Sequence, residues 1–293
     1  MKLTLPPMDL GLVVRSHGWY DLPPFDWRPE EKTLGFIFLE RECPVRVEIQ
    51  ERAKNVVAAA SQNASLAAFR RVVDRVLDLK ASLSSFHSIC AGDPRFAWVA
   101  RRGAGRILRA PTAFEDAVKV LATTNCTWGL TKVMVKNLIE RFDRGGAFPD
   151  ARFVASLPAR SLVAAKWGYR APYLAAFAAR VATGKLDLAR WEDPALTDDE
   201  VEKEIRAAKG FGPYAADTLG RLLGRHRKLG LDSWSRKKVA ALRFRGRAVK
   251  DARVARLYAP FGPHAGLAFW LDVTRDWHEE KEGLKIPGER GTA

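Results

Sequence analysis

Residues 205–217 read IRAAKGFGPYAAD, which predicts two helices joined by a very tight turn. Gly210 and Gly212 allow the positive φ angles that such a turn needs. Pro213 suits the first position of the second helix, because its missing N–H would have no partner there. The pattern indicates a helix-hairpin-helix over about residues 205–224, whose turn offers backbone N–H groups to a phosphate. The groups expected to contact the phosphate belong to Gly210, Phe211, Gly212 and Tyr214. An ordinary helical hairpin is the alternative, since a bare Gly-x-Gly is a weak signal.

About twenty residues further on, the chain reads LGLDSWSR over residues 229–236 and enters another helix. Asp232 stands directly before that helix, where an aspartate commonly accepts hydrogen bonds from the first backbone N–H groups. Those donors hold the carboxylate in a fixed position. Asp232 is therefore interpreted as a helix cap and, if it borders a cleft, as a candidate catalytic group as well.

The chain divides into two parts with different hydrophobic patterns. Within residues 1–92, a buried-strand run at 34–39 and an alternating run at 44–49 precede a helical pattern at 66–79. This part predicts an α+β domain with a small antiparallel sheet. Residues 93–293 have helical spacing nearly throughout, so the expected fold class is mostly α.

Three stretches of the second part predict helix starts or whole helices. Thr112 is followed three residues later by Glu115, the pattern of a capping box. Thr197 and Glu200 repeat this pattern at the start of the helix that leads into the hairpin. Between them, residues 127–142 have apolar side chains at helical spacing.

The positive charge is concentrated in one segment. The 293 residues include 49 Lys and Arg against 34 Asp and Glu, which gives a net charge of +15. Residues 203–256 hold 16 of the bases and only four acids, and so account for +12 of that charge. Such a patch favours a polyanionic partner, because binding to a phosphate backbone releases counterions. Solvated helix faces are the alternative for some of these side chains.

Several classes of protein are disfavoured. The three cysteines are far apart and form no C-x-x-C pair, which argues against a zinc or iron–sulfur site with four thiolates. The five histidines show no metal spacing and are interpreted as surface or core residues. The start of the chain lacks the apolar segment of a signal peptide, and no apolar run is long enough to cross a membrane. We expect a cytoplasmic protein.

The Gly-Phe-Gly hairpin followed by Asp232 resembles the helix-hairpin-helix (HhH-GPD) DNA glycosylases, in particular their 3-methyladenine and 8-oxoguanine branch. Residues 93–112 are similar to the entry to the helical domain of that family, and residues 261–266 to its last helix beside the base pocket. The resemblance implies a small antiparallel sheet packed on a two-lobed helical domain. DNA would cross the cleft between the lobes, with the target base rotated out of the duplex.

The resemblance also assigns roles to single residues. Asp232 would be the catalytic carboxylate. Asn125, in the sequence TTNC, matches the residue that fills the gap left by the base, and Tyr169 and Arg170, in WGYRAPY, match the strand-wedging segment. The residues expected around the base are Tyr214, Trp234, Trp128 and Phe269.

The chain departs from the family pattern at a few positions. Tyr214 stands where bifunctional members have the Lys that forms a Schiff base, which implies an enzyme without abasic-site lyase activity. The iron–sulfur loop of the endonuclease III branch is missing, so no cofactor is expected except a structural Na⁺ or K⁺ on the hairpin carbonyls. Phe269 and Val273 replace the Gln and the aromatic residue of the 8-oxoguanine branch, which counts against that lesion.

Three functions follow from the resemblance. The first is a monofunctional glycosylase that removes an alkylated purine in base excision repair, since aromatic rings attract a cationic base. The second is a glycosylase for oxidised or deaminated purines such as 8-oxoguanine, which the Tyr169-Arg170 segment favours. The third is a non-catalytic DNA-binding protein. In each case the partner is double-stranded DNA, and we expect a nucleoid-associated monomer.

Overall fold

The computed structural model describes residues 1–53, 55–61 and 64–278, so the last part of the second predicted domain, residues 279–293, lies outside the described residues. The described residues form five strands and fifteen α-helices, joined by short 3₁₀ and π turns. The strands are β1 (Lys2–Leu5), β2 (Asp26–Arg28), β3 (Thr33–Glu40), β4 (Cys43–Arg52) and β5 (Asn55–Ala60). The helices are α1 (Leu10–Val14), α2 (Leu66–Val76), α3 (Ser84–Ala91), α4 (Ala97–Arg102), α5 (Ala113–Thr123), α6 (Trp128–Glu140), α7 (Ala151–Ser156), α8 (Ala159–Leu162), α9 (Ala171–Ala182), α10 (Asp198–Arg206), α11 (Pro213–Leu222), α12 (Ser233–Arg243), α13 (Asp251–Tyr258), α14 (Ala265–Val273) and α15 (Arg275–His278).

The strands form one antiparallel sheet in the order β1-β5-β4-β3-β2. Its centre is the β3–β4 hairpin, which contains both predicted strands. Along β4 the side chains of Val45, Val47 and Ile49 are buried, while those between them are exposed, as the alternating sequence predicts. The predicted small antiparallel sheet is confirmed. β1, β2 and β5 have no clear sequence signal, because two are very short and β5 is rich in alanine, a weak strand former.

The predicted helix starts are also found. The hydroxyl of Thr112 accepts a hydrogen bond from the backbone N–H of Glu115 at 3.1 Å, at the start of α5. Thr197 and Glu200 form a reciprocal capping box before α10. The predicted helix at 127–142 is α6, capped by Thr127. Within the described ranges, no helix is both long and apolar enough to span a bilayer.

Helix α5 lies at the centre of the molecule and joins its two parts. It is buried along nearly its whole length, including the ion pair between Lys119 Nζ and Glu115 Oε1 at 2.6 Å. Asp116 accepts a hydrogen bond from Trp19 Nε1 at 2.7 Å and pairs with Arg75 at 2.6 Å. These contacts hold the N-terminal segment around Trp19 against the helices. Buried apolar residues form one continuous cluster from the sheet to α14, and the division at residues 92 and 93 stays a prediction.

Candidate active site

The glycine turn between α10 and α11 has the predicted geometry. Gly210 has a φ of +98°, and Gly212 precedes α11, whose first residue is Pro213. No side chain of the described residues caps α11, which leaves its first N–H groups available to a ligand. The ring of Phe211 is buried 5.1 Å from the Phe177 ring, which anchors the turn and leaves only the Phe211 backbone for a ligand. The two helices of the hairpin end slightly earlier than predicted. Helix α10 ends at Arg206, and α11 ends at Leu222, two residues before the predicted limit of about 224.

Asp232 caps helix α12 as predicted. Its Oδ1 accepts a hydrogen bond from the backbone N–H of Ser235 at 2.7 Å, and Ser235 Oγ accepts one from the Asp232 N–H at 2.9 Å. The capping bond uses Oδ1 and does not involve the second carboxylate oxygen, Oδ2. Asp232 also lines a cavity, so the capping bonds fix a carboxylate whose other oxygen is available to a ligand.

That cavity has a volume of about 380 Å³ and an open mouth. This volume lies within the roughly 300–1,000 Å³ range of sites for small molecules. Three of the four residues predicted to surround a base, Tyr214, Trp234 and Trp128, line it together with Asp232. They belong to α11, α12 and α6, so the cavity is built where these helices meet.

The fourth predicted residue, Phe269, does not line the cavity, and this prediction is wrong. Its ring is fully buried and packs edge to face on Tyr258 at 5.3 Å. Trp270, the next residue of α14, lines the cavity instead. Because neighbouring residues of a helix point about 100° apart, an alignment error of one position exchanges a core residue for a cavity residue. Val273 is likewise buried outside the cavity wall.

A cluster of three tryptophans forms one side of the cavity. The Trp234 ring lies 6.2 Å from that of Trp270 and 5.7 Å from that of Trp277. Trp270 Nε1 donates a hydrogen bond to the backbone oxygen of Ser16 at 2.7 Å, which fixes the indole against the N-terminal segment. The cluster offers flat apolar surfaces of the kind on which bases stack.

Two buried polar side chains, His17 and Arg221, also line the cavity. The interpretation of His17 as a mere surface or core residue is therefore incomplete. Burial, with the positive charges of Arg221 and Lys119, lowers the pKa of His17 to about 3. Burial also lowers the pKa of Arg221 to about 10, so at neutral pH the imidazole is neutral and the guanidinium is charged.

The helical repeat could have revealed Arg221 but not His17. Tyr214, Thr218 and Arg221 are spaced i, i+4 and i+7, so they share one face of α11, and all three line the cavity. His17 comes from a loop of the N-terminal part, and no periodic pattern connects it with α11.

The predicted wedge residues lie in or next to the loop between α5 and α6, part of which lines the cavity. Asn125 is exposed, with a φ of +46°, in the loop between α5 and α6, and its neighbour Cys126 lines the cavity. Arg170 is buried and donates hydrogen bonds to the backbone and side-chain oxygens of Thr124 in that loop. Tyr169 is 54% exposed, with its ring 4.5 Å from the Arg170 guanidinium. The structure thus brings the two predicted segments together.

Tyr214, which the resemblance places at the position of the lyase Lys, has a phenol and no amine that could form a Schiff base. Burial raises the pKa of this phenol. One lysine, Lys238 of α12, does line the cavity. Its Nζ is 2.5 Å from Asp276 Oδ2, so this ion pair holds the side chain against α15.

Solved structures of known proteins are similar to this architecture, whereas comparisons of sequence find no match. No family model and no curated protein sequence matches the chain. Among solved structures, an 8-oxoguanine glycosylase/lyase of Clostridium acetobutylicum is 20% identical, with a TM-score of 0.73 over 93% of this chain and 96% of that one. A 3-methyladenine DNA glycosylase of Archaeoglobus fulgidus is 17% identical, with a TM-score of 0.76 over 95% of this chain and 99% of that one. The chain therefore has the fold of the helix-hairpin-helix DNA glycosylases.

Proposed function

We propose that this protein is a DNA glycosylase in which Asp232 promotes cleavage of the bond between a damaged base and its deoxyribose. One observation carries the proposal. Asp232 is fixed by its capping bonds at the wall of an aromatic cavity, close in the chain to a glycine turn with unpaired N–H groups. The fold shared with DNA glycosylases agrees with this proposal.

Cleavage of the N-glycosidic bond is promoted by a fixed negative charge near the sugar. As the N-glycosidic bond breaks, positive charge develops on the deoxyribose, as it does in glycoside hydrolysis. A carboxylate that is already in place stabilises this charge more than it stabilises the ground state. Asp232 Oδ2, which does not take part in the capping bond, would face the sugar and orient the attacking water.

The rest of the site would hold the DNA. The unpaired N–H groups at the start of α11 suit a backbone phosphate. Asn125 and Tyr169 would enter the duplex where the target base leaves it. The carbonyls of Lys209 and Gly210 accept no hydrogen bond within the described residues, which leaves them available for a Na⁺ or K⁺ ion that would bridge to a phosphate. In this proposal the protein acts as a monomer on double-stranded DNA.

We further propose that the enzyme is monofunctional. Tyr214 cannot form a Schiff base, and Lys238 is held by Asp276. The expected product is an intact abasic strand that breaks only on later treatment with alkali. Strand breaks formed by the protein alone, and lost in Lys238→Ala, would instead identify Lys238 as a lyase residue.

Two classes of purine lesion suit the cavity. Its tryptophans would stack on an alkylated purine, the first candidate from the sequence. Phe269 and Val273 are buried outside the cavity, so these two residues do not disfavour 8-oxoguanine. Arg221 in the cavity wall favours the second candidate, an oxidised or deaminated purine, because a guanidinium donates hydrogen bonds to carbonyl oxygens.

The test of the proposal is base release from a panel of lesion-containing duplexes under single-turnover conditions. We expect Asp232→Asn to reduce the excision rate by at least about a hundredfold, because a preorganised charge is removed from the transition state. Binding to abasic-site DNA should be retained. Asp251→Asn is the matched control, since Asp251 is an exposed aspartate at the start of α13 that pairs with Arg236 of α12, the helix that Asp232 caps. A wild-type protein that binds DNA but releases no base would identify a non-catalytic DNA-binding protein.

A further inference from the structure

The inner wall of the cavity contains two polar side chains that bond cleavage does not use. His17 and Arg221 are 4% and 1% exposed, and both line the cavity. They lie against the same indole, because the Trp270 ring centroid is 5.5 Å from that of His17 and 4.6 Å from Arg221 Cζ. One comes from the N-terminal segment and the other from α11, so together they form a polar corner beside Trp270.

The hydrogen-bonding groups of this corner are incompletely satisfied by the protein. The Nδ1 atom of His17 and the Nε atom of Arg221 are buried without a partner. Arg221 Nη2 donates to the backbone oxygen of Leu229 at 2.6 Å, a neutral acceptor, while the charges of Asp217 and Asp232 act on the guanidinium without forming an ion pair with it among the described residues. Buried polar groups without partners are rare in folded proteins because they are costly, so their presence in a cavity wall indicates a polar ligand.

The chemistry of the corner restricts that ligand. A guanidinium can only donate hydrogen bonds, while a neutral imidazole offers one donor and one acceptor. A carbonyl oxygen next to a ring N–H complements this set. A positively charged base would meet a second cation close by, in a wall where charges are weakly screened. The Arg221 guanidinium also covers one face of Trp270, so it occupies a ring that would otherwise attract a cationic base.

We propose that His17 and Arg221 bind the edge of the extruded base, and that this base is a neutral purine carrying a carbonyl oxygen, as in oxidised and deaminated purines. The proposal rests on the glycosylase function proposed above and selects between its two lesion classes. His17 and Arg221 determine specificity in this proposal, while Asp232 remains responsible for bond cleavage.

The experiment compares single-turnover release of hypoxanthine, 8-oxoguanine and 3-methyladenine, a cationic base that has no carbonyl oxygen. We expect the wild type to release at least one of the two carbonyl lesions about tenfold or more faster than 3-methyladenine. His17→Phe and Arg221→Met should each lower the ratio of the release rate of that carbonyl lesion to the release rate of 3-methyladenine by about tenfold or more. His17→Gln, which keeps a donor and an acceptor, should retain more of the rate than His17→Phe.

His278 provides a matched control. It is another buried histidine with unpaired ring nitrogens, and burial lowers its pKa to about 4, but it does not line the cavity. His278→Phe should leave the ratio of the lesion rates unchanged, whatever it does to the thermal unfolding midpoint. If Arg221→Met does not fold, the comparison of His17→Phe with His17→Gln decides whether the polar corner binds the edge of the base.

The outcomes separate the two proposals. Faster release of 3-methyladenine than of either carbonyl lesion by the wild type, or an equal loss on all lesions in the His17 and Arg221 variants, would overturn the role of the polar corner while leaving a glycosylase. Release of no base from any duplex would overturn the glycosylase function itself, and the specificity proposal with it.

Discussion

At the scale of single residues, Arg170 and Tyr169 are neighbours in sequence with opposite environments. Arg170 is buried and bonds the Thr124 loop, so Arg170→Met should lower the free energy of unfolding by about 2–3 kcal/mol. Tyr169 is half exposed, so Tyr169→Ala should change stability by less than about 0.5 kcal/mol yet weaken binding to abasic-site DNA. Denaturant unfolding and DNA titration measure the two effects. Equal stability losses in both variants would contradict this assignment.

The buried His17 should make stability depend on pH. Its pKa is lowered to about 3 in the folded state, below the ordinary value of 6.5, so the unfolded chain binds a proton that the folded chain rejects. The free energy of unfolding that neutral His17 contributes is therefore fully present above pH 6.5 and is lost as the pH falls from 6.5 towards 3. Between about pH 7 and pH 5 the free energy of unfolding of the wild type should fall by on the order of 2 kcal/mol more than that of His17→Phe. Denaturant unfolding at the two pH values measures this difference, and parallel losses would show that His17 is accessible to protons.

At the scale of elements, the glycine turn offers a paired test. A Cβ on Gly210 would lie 2.8 Å from Leu121 Cδ1, at a φ of +98°, so Gly210→Ala should cost about 2 kcal/mol or more in stability. A Cβ on Gly212 would meet no atom within 4 Å, at an ordinary φ of −76°. Gly212→Ala should therefore fold normally and lose several-fold in DNA affinity, because its methyl group lies where a phosphate would approach. Normal DNA binding by Gly212→Ala would remove the turn from the DNA interface.

At the scale of the whole molecule, the excess of positive charge predicts a steep salt dependence of DNA binding. If about five phosphates are neutralised, the affinity should fall several-hundred-fold between about 50 and 200 mM salt. Replacing the exposed residues Lys237 and Arg247 with Ala should reduce the slope of log affinity against log salt by about 2. Lys2→Ala with Lys80→Ala, which removes two exposed charges from the N-terminal part, is the control and should leave the slope unchanged. Equal slopes for all proteins would exclude the α12–α13 region from the DNA interface.

The sequence by itself determined the features that depend on near neighbours in the chain. The Gly-Phe-Gly turn, the capping bonds of Asp232 and the central β3–β4 hairpin each follow from residue types a few positions apart. Local conformational preferences and helix-end hydrogen bonds act over that distance, so the pattern alone predicts them. Tyr214, Trp234 and Trp128, which were chosen as aromatic side chains suited to stacking on a base, line the cavity together, and their role as a base pocket stays a prediction.

Only the tertiary structure decided which side chains meet across distant segments. His17 and Trp270 are more than two hundred residues apart in the chain, yet their rings lie 5.5 Å apart. The choice of Trp270 over Phe269 depended on the rotation of α14, which is set by packing against Tyr258 and the rest of the core. Hydrophobic burial specifies that such a helix has an inner side, but close packing among many partners fixes which residue faces the cavity.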